Sequence, residues 1–174
     1  MNAQLAQQLA WLSPQASVLK NMRRGLEKES LRMTPTGHLT QSRHPDGLGA
    51  ALTHPYITTD YSEALIELIT PATKSIDETL TFLEDLHSYT YQHRGDARLW
   101  LNSMPRMIGL EDESIPLAYY GESNIGKLKT LYRHGLGIRY GRKMQTIAGI
   151  HYNLSFPTEF WQAWQTASQT SGEL

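Results

Sequence analysis

Arg24-Gly25-Leu26-Glu27-Lys28-Glu29-Ser30-Leu31-Arg32-Met33 leads directly into Thr34-Pro35-Thr36-Gly37, and this stretch sets our first expectation about the fold. Proline and glycine within a short polar segment are typical of a tight turn. The turn indicates a hairpin, so we interpret the segment before it as a strand. Because alternate residues of a strand point to the same face, Glu27 and Glu29 would project together.

A third carboxylate lies inside a stretch that should be buried. Residues 57–70 suit a helix or a strand, but their end, Leu65-Ile66-Glu67-Leu68-Ile69, favours a buried strand. A buried Glu67 needs a hydrogen-bonding partner or a cation. An isolated pair such as Glu27 and Glu29 is more often the solvated face of an edge strand, and that alternative stays open.

A third strand is predicted from the clean alternation of residues 145–156. Its polar face carries Gln145, Gly149, His151 and Asn153. His151 alone would be an ordinary hydrogen-bonded histidine. Together with Asp60 and the three glutamates, it completes an oxygen-rich set with one imidazole, which favours Mg²⁺ or Mn²⁺ over zinc.

Helical periodicity and capping residues predict the helices. We expect helices over residues 3–12, from the capping box Ser75-Ile76-Asp77-Glu78 to near Gly95, over 125–140 with softening at Gly135 and Gly137, and after a cap at Thr158. In the second of these, Ile76, Leu80, Leu83 and His87 would form the apolar face. Strands and helices do not alternate strictly, which favours an α+β domain with a mostly antiparallel sheet and flanking helices. We expect a single domain over residues 1–174, with a flexible tail over 165–174.

Composition narrows the class of protein. The 174 residues have a formal net charge of -1 and include no cysteine, which predicts no general attraction to nucleic acid and excludes disulfides and thiolate metal sites. No apolar run approaches the roughly 20 residues of a membrane span. Residues 1–8 lack the basic start and apolar core of a signal peptide. We therefore expect a cytoplasmic protein without membrane or nucleic-acid partners.

A basic cluster lies between residues 127 and 143. Its members are Lys127, Lys129, Arg133, Arg139, Arg142 and Lys143. They could bind phosphate or carboxylate groups, although a solvated helix face is the commoner explanation. The nearby segment 121–128 approaches the phosphate-loop pattern but has Leu128 where a Mg²⁺-binding hydroxyl is needed, so we reject a phosphate loop.

Many motifs, taken in order, resemble those of one enzyme family. They are Arg24–Arg32, His44-Pro45 with Leu48–His54, Ile57–Pro71, Ser103-Met104-Pro105, Tyr120-Gly121 with Ser123-Asn124, Lys129–Arg133, and Gln145-Thr146-Ile147 with Gly149 and His151-Tyr152-Asn153. From Trp11 to Trp164 the chain resembles the N-terminal portion of bacterial-type glutamate–cysteine ligase.

The resemblance implies a curved antiparallel sheet like that of glutamine synthetase, forming a funnel for ATP, metal ions and glutamate. It implies that Glu27, Glu29, Asp60, Glu67 and His151 bind Mg²⁺, with Mn²⁺ as an alternative. Arg133 would be catalytic, Tyr132 would lie near the glutamate or the nucleotide, and Gln145, Gly149 and Asn153 would line the substrate side.

The implied reaction joins L-glutamate to L-cysteine, the first step of glutathione biosynthesis. ATP would phosphorylate the γ-carboxylate of glutamate, and the amine of cysteine would attack the acyl phosphate. Because the family enzyme is longer, we expect this chain to be inactive alone and to associate with a C-terminal portion or with itself. The alternatives are a non-catalytic module that binds Mg²⁺ or glutamate and a small metal-dependent hydrolase.

Overall fold

An antiparallel sheet built around one long strand organises the protein. The computed structural model describes residues 3–104 and 111–171; Pro105 of the quoted motif and residues 172–174 lie outside these ranges. Within them the strands are β1 (Arg23–Met33), β2 (Ile57–Thr59), β3 (Leu65–Ile69), β4 (Arg98–Trp100) and β5 (Ile150–Ser155), and the α-helices are α1 (Ala3–Leu12), α2 (Ile76–His93), α3 (Asn124–Tyr140) and α4 (Thr158–Ser171).

The described strands have the order β2-β3-β1-β4, and β5 also pairs with β1. On one edge β1 pairs with β3 over Glu27–Leu31. Its other edge is divided between β5, at Arg23–Lys28, and β4, at Leu31–Met33. Every one of these pairings is antiparallel. The predicted α+β class, an antiparallel sheet with flanking helices, is therefore confirmed, and so is the turn after β1, where Gly37 has φ +85°.

Apolar residues cover both faces of the sheet. On one face Ile66 and Leu68 pack with Leu86 of α2. On the opposite face Leu31 and Leu65 pack with Tyr61, Ile115 and neighbouring apolar residues, and Leu136 of α3 packs against this cluster. The carboxylates of β1 and β3 are an even number of residues from Leu31 and Leu65, so they share the face that α3 partly covers.

The predicted face of α2 is buried only in part, because Leu83 packs against the core and its N-terminal members do not. Ile76 and Leu80 are 60% and 51% exposed, whereas Thr79, Leu86 and Thr90 are buried. Thr79 can be buried because its hydroxyl lies 2.6 Å from the Thr73 hydroxyl and 2.9 Å from the Ser75 carbonyl oxygen. The N-terminal cap is as predicted, since the Ser75 side chain accepts a hydrogen bond from the Glu78 amide.

The other boundaries differ in detail from the predictions. Residues 144–146 form a 3-10 turn, so β5 begins at Ile150 and not at Gln145; the Gln145 and Thr146 amides bond to the nearby carbonyls of Arg142 and Lys143 instead of to a neighbouring strand. Helix α3 continues through Gly135 and Gly137 without interruption. Residues 165–171 extend α4, and the flexibility of the tail stays a prediction. In the described ranges, no helix combines the length and hydropathy needed to cross a membrane.

Candidate metal and substrate site

Strand register brings the acidic residues together. Glu29 is the direct cross-strand partner of Glu67, and Glu27 is the direct partner of His151. Directly opposed residues of an antiparallel pair point to the same face, with Cβ atoms about 4.5–5.5 Å apart. Three residues from the predicted metal set, and the predicted imidazole, therefore face the same side of the sheet.

Hydrogen bonds hold two of these carboxylates in place. Glu29 Oε2 accepts the Gly149 amide at 2.7 Å. Glu27 Oε1 accepts from Asn153 Nδ2 at 2.9 Å, and Glu27 Oε2 lies 3.1 Å from His151 Nδ1. Gly149 and Asn153 thus lie beside the carboxylates, on the face that the alternation of β5 predicted.

Negative charge accumulates at this face. Burial, followed by the charges of Asp60 and Glu29, raises the pKa of Glu67 to about 7. Burial also raises the pKa of Glu29, although the hydrogen bond from Gly149 opposes the effect. The hydrogen bond to Glu27 raises the pKa of His151. Such shifts are expected where carboxylates crowd together and a cation would relieve the repulsion.

Asp60 and Arg133 form the rim of the site. Asp60 follows β2 directly, and Arg133 Nη2 lies 4.0 Å from its Oδ1. Arg133 Nε also donates to the Asp60 carbonyl oxygen. The Arg133 side chain is only 15% exposed. The structure therefore brings the predicted catalytic arginine to the carboxylates from α3, across a long stretch of sequence.

Two predicted substrate residues have looser connections to this group. Tyr132 lies on α3 beside Arg133 in sequence, but it is 63% exposed. Gln145 is half-buried in the 3-10 turn, where its amide donates to the Arg142 carbonyl. Their role in substrate binding stays a prediction.

The donor set suits a hard divalent cation. Carboxylate oxygens and one imidazole are ligands that Mg²⁺ and Mn²⁺ accept. In the described residues, however, no group of three or more His, Asp or Glu side chains is arranged to hold a metal ion. Glu27 and Glu29 instead accept hydrogen bonds from the protein. Because the terminal torsion of a glutamate rotates readily, a cation could recruit these oxygens, and the His151 Nδ1 contact with Glu27 leaves Nε2 for it.

The basic cluster does not act as one patch. Lys127 pairs with the exposed Glu122 at 3.0 Å. Arg142 Nη1 donates to the carbonyls of Glu113 and Ile115. Arg133 is the member for which the structure gives a contact with the carboxylate site, at Asp60.

Sequence reasoning missed Tyr120 and Glu63. The Tyr120 ring lies under Arg133, with 4.6 Å between the guanidinium carbon and the ring centroid. Glu63 is 5% exposed, and its two carboxylate oxygens accept the amides of His44 and Tyr119. An aromatic pair before Gly121 was the available signal for Tyr120, and for Glu63 no pattern in the sequence distinguished it from a surface glutamate.

Known proteins with similar sequences belong to one enzyme family. The family model described as glutamate-cysteine ligase matches residues 9–173. The chain is 62% identical over 147 residues to the glutamate–cysteine ligase of Alcanivorax borkumensis, covering 84% of this chain and 28% of that protein. It is 58% identical over 156 residues to the Yersinia enterocolitica ligase, covering 90% and 30%.

Two solved structures have a similar fold. A crystal structure of the Francisella tularensis glutamate–cysteine ligase in complex with AMP matches with a TM-score of 0.81 and 44% identity, over 86% of this chain and 30% of that one. A bifunctional glutathione synthetase from Pasteurella multocida matches with a TM-score of 0.75 and 28% identity, over 91% and 20%. The chain spans less than a third of the length of these relatives. With the family model matched over residues 9–173, the chain belongs to the glutamate–cysteine ligase family.

Proposed function

We propose that this chain is the N-terminal portion of a ligase catalytic domain that joins the γ-carboxylate of glutamate to the amine of cysteine at the expense of ATP. The observation that carries the proposal is the cross-strand register, which sets Glu29 against Glu67 and Glu27 against His151. Asp60 and Arg133 complete this group at its rim. The reaction is the one that the family description names, and the clustered carboxylates are where we propose that it takes place.

The proposed chemistry is acyl activation. ATP phosphorylates the glutamate γ-carboxylate and releases ADP; the cysteine amine then attacks the acyl phosphate, forming the amide and releasing phosphate. Catalysis of phosphoryl transfer depends mainly on alignment and on neutralising charge. Mg²⁺, or Mn²⁺, held by Glu27, Glu29, Asp60, Glu67 and His151 would neutralise the phosphate charges.

Protein groups do the rest of the work in this proposal. Arg133 stabilises the charge on the transferred phosphoryl group, since a fixed guanidinium beside a developing anion lowers its energy. Asn153 and Gly149 hold Glu27 and Glu29 from the β5 side. Tyr132 and Gln145 line the amino-acid side.

Apolar side chains exposed on β5 support the proposal that another stretch of polypeptide packs against this strand. On β5, Ile150, Tyr152 and Leu154 are 65%, 60% and 45% exposed. Among the described residues β5 pairs only with β1, so its outer edge offers unpaired backbone groups. We propose that a C-terminal portion like that of the longer relatives, or a second copy of the chain, covers this surface.

One assay tests the ligase. We would incubate the chain with ATP, Mg²⁺, glutamate and cysteine, alone and with the C-terminal portion of the Alcanivorax borkumensis relative, and measure γ-glutamylcysteine and ADP. We expect product only from the combined chains. Product from this chain alone refutes the need for a second portion, and its absence from a folded, combined enzyme refutes the ligase.

A non-catalytic module that binds Mg²⁺ or glutamate is the second candidate, favoured by the exposed β5 face. Mn²⁺ binding separates a real cation site from a surface cluster. We expect the double variant Glu27→Gln, Glu29→Gln to weaken Mn²⁺ binding by about 100-fold or more, while Glu84→Gln on the exposed side of α2 leaves it unchanged. Equal affinities for the wild type and the double variant would show that these glutamates are not ligands.

A further inference from the structure

Tyr120 connects the rim of the carboxylate site to the protein interior. It is 5% exposed and belongs to a small cluster with Ala51 and Ala118. The ring and the hydroxyl of this residue contact different parts of the Asp60–Arg133 pair, so they can be considered separately.

The hydroxyl fixes the backbone at Asp60. Its single proton is shared between the carbonyl oxygens of Thr59, at 2.5 Å, and of Asp60, at 3.0 Å. The Asp60 carbonyl also accepts from Arg133 Nε. The Tyr120 hydroxyl and Arg133 Nε therefore both reach the Asp60 carbonyl oxygen, and the Asp60 amide donates to the Leu65 carbonyl oxygen at 3.1 Å. Because its amide and carbonyl are both hydrogen-bonded, the backbone from which the Asp60 side chain projects is held in place.

The ring supports two cations. The guanidinium carbon of Arg133 lies 4.6 Å from the ring centroid, and Lys129 Nζ lies 5.1 Å from it. Both distances are within the range of attraction between a cation and an aromatic face. The stacking limits the positions open to a long, flexible arginine, and Arg133 Nη1 has a further bond to the Lys129 carbonyl at 3.1 Å.

Buried Glu63 holds the segment that carries Tyr120. Its carboxylate accepts the Tyr119 amide at 2.9 Å and the His44 amide at 2.8 Å. The Ala118 amide donates to the Tyr61 carbonyl at 3.0 Å. Residues 118–120 are thus bonded to residues 61–63, and the phenol ring cannot move far without breaking these contacts.

We propose that Tyr120 is a positioning residue of the active site: its hydroxyl sets the backbone of Asp60, and its ring sets the guanidinium of Arg133. The role deepens the proposed function, since Asp60 and Arg133 belong to that site. In this role Tyr120 acts through Asp60 and Arg133. It determines where a carboxylate and an arginine stand relative to Glu29 and Glu67.

Two substitutions and a matched control test this role. Tyr120→Phe removes the hydroxyl and keeps the ring, whereas Tyr120→Leu removes both. Tyr119→Phe is the control, because the Tyr119 hydroxyl donates to exposed Glu122 and has no part in the site. Each variant would be examined by thermal unfolding, by Mn²⁺ titration, and by NMR measurement of solvent exchange at the Arg133 Nε–H.

We expect Tyr120→Leu to weaken Mn²⁺ binding by about 10- to 100-fold, the usual cost of losing a residue that orients a ligand. Exchange at the Arg133 Nε–H should accelerate by about tenfold, because its hydrogen bond to the Asp60 carbonyl loosens. Tyr120→Phe should show a smaller change in both, and Tyr119→Phe none. Recovery of most of the affinity by Phe relative to Leu would assign the larger share to the ring.

Tyr120 is only a packing residue if Tyr120→Leu lowers the melting temperature but leaves both the Mn²⁺ affinity and the Arg133 exchange rate at wild-type values. If Tyr120→Leu does not fold, the same comparison on Tyr120→Phe decides. If the wild-type chain binds no Mn²⁺, the proposed function fails there, and the Arg133 exchange rate alone decides whether Tyr120 positions the pair.

Discussion

Glu29 and Glu67 stand directly opposite each other across the β1–β3 ladder. Like charges at this position destabilise an antiparallel sheet, and burial adds to the cost of ionising either one. Burial raises the pKa of both residues, and the charges of Asp60 and Glu29 add to the shift of Glu67, which reaches about 7. Without a cation, the sheet therefore gives up stability to keep these two carboxylates together.

Replacing Glu67 with Gln should stabilise the metal-free chain at pH 8. The folded-state pKa of about 7 lies above the ordinary value of 4.5, so the folded state favours the protonated form of Glu67. The stability that this preference contributes is fully present below about pH 4.5 and is lost as the pH rises through 7. We expect Glu67→Gln to raise the free energy of unfolding by about 1–2 kcal/mol at pH 8, a figure reduced for partial solvation of the carboxyl, and to change it little at pH 5.

Urea unfolding at the two pH values measures this difference. Glu84→Gln serves as the control, because Glu84 is exposed on α2 and should have no such dependence on pH. An equal effect of Glu67→Gln at pH 5 and pH 8 would mean that the charge of Glu67 is not the source of the cost.

Affinity for Mn²⁺ should fall as the pH decreases from 8 to 6. A cation binds ionised carboxylates and neutral imidazole, so it competes with protons for Glu67, Glu29 and His151. The pKa of Glu67, raised to about 7, places its competition around neutral pH, and the raised pKa values of Glu29 and His151 act in the same direction. We expect the dissociation constant to rise by about tenfold for each pH unit in which one proton is displaced. Calorimetric titrations at constant ionic strength test this; an affinity independent of pH between 6 and 8 contradicts it.

Local patterns in the sequence predicted much of the sheet and the site. The turn at Thr34–Gly37 identified β1, alternation put Glu27 and Glu29 on one face of it, and alternation put His151 and Asn153 together on β5. These features depend on residue spacing, which a strand converts directly into direction. Residue chemistry added Asp60 to the predicted set, and the family resemblance added Arg133.

Long-range contacts were beyond the same patterns. Nothing local pairs Glu29 with Glu67 or places Tyr120 under Arg133, because register and packing involve distant segments. The buried side of α2 was predicted only in part, for a related reason. Thr79 becomes a core residue only when its hydroxyl finds partners near Thr73, and Ile76 is then left exposed.

Two glycines of α3 should respond in opposite ways to alanine. A Cβ on Gly126 would lie 2.5 Å from the Tyr120 carbonyl oxygen and 2.8 Å from that of Gly121. Because the clashing atoms belong to the backbone, they can move away only if the main chain shifts. We therefore expect Gly126→Ala to destabilise the chain by about 1–3 kcal/mol. Gly135 has no atom within 4 Å of the corresponding position, so Gly135→Ala should stabilise it by about 0.5–1 kcal/mol.

Thermal and urea unfolding of both variants provide the measurement. Gly126→Ala should also weaken Mn²⁺ binding, since the displaced carbonyl belongs to Tyr120. Stabilisation by both substitutions would show that the segment at Tyr120 adapts more easily than its hydrogen bonds suggest.

Arg32 should tolerate no replacement, not even by lysine. It is 1% exposed, and its guanidinium donates to the Ser42 hydroxyl and to the carbonyls of Ser42, Arg43 and Glu63, all at 2.7–2.9 Å. Burial lowers the pKa of Arg32, and the charge of Glu63 opposes that shift. A lysine ammonium cannot reproduce the planar fork that reaches these acceptors. We expect Arg32→Lys to cost about 3 kcal/mol, because it leaves buried carbonyls and a buried charge with fewer partners.

Arg23→Lys is the matched control for this change. Arg23 is exposed and makes one long bond, 3.4 Å from Nη1 to the Ala72 carbonyl oxygen, so its replacement should alter the free energy of unfolding by no more than about 0.5 kcal/mol. If both lysine variants lose similar amounts of unfolding free energy, the loss does not come from the buried contacts of Arg32. If only Arg32→Lys loses stability, the loss comes from its hydrogen bonds to residues 42–43 and to Glu63. The carboxylate of Glu63 also holds the segment that carries Tyr120. In that case Arg32→Lys should also accelerate solvent exchange at the Arg133 Nε–H, although no atom of Arg32 is known to contact that group.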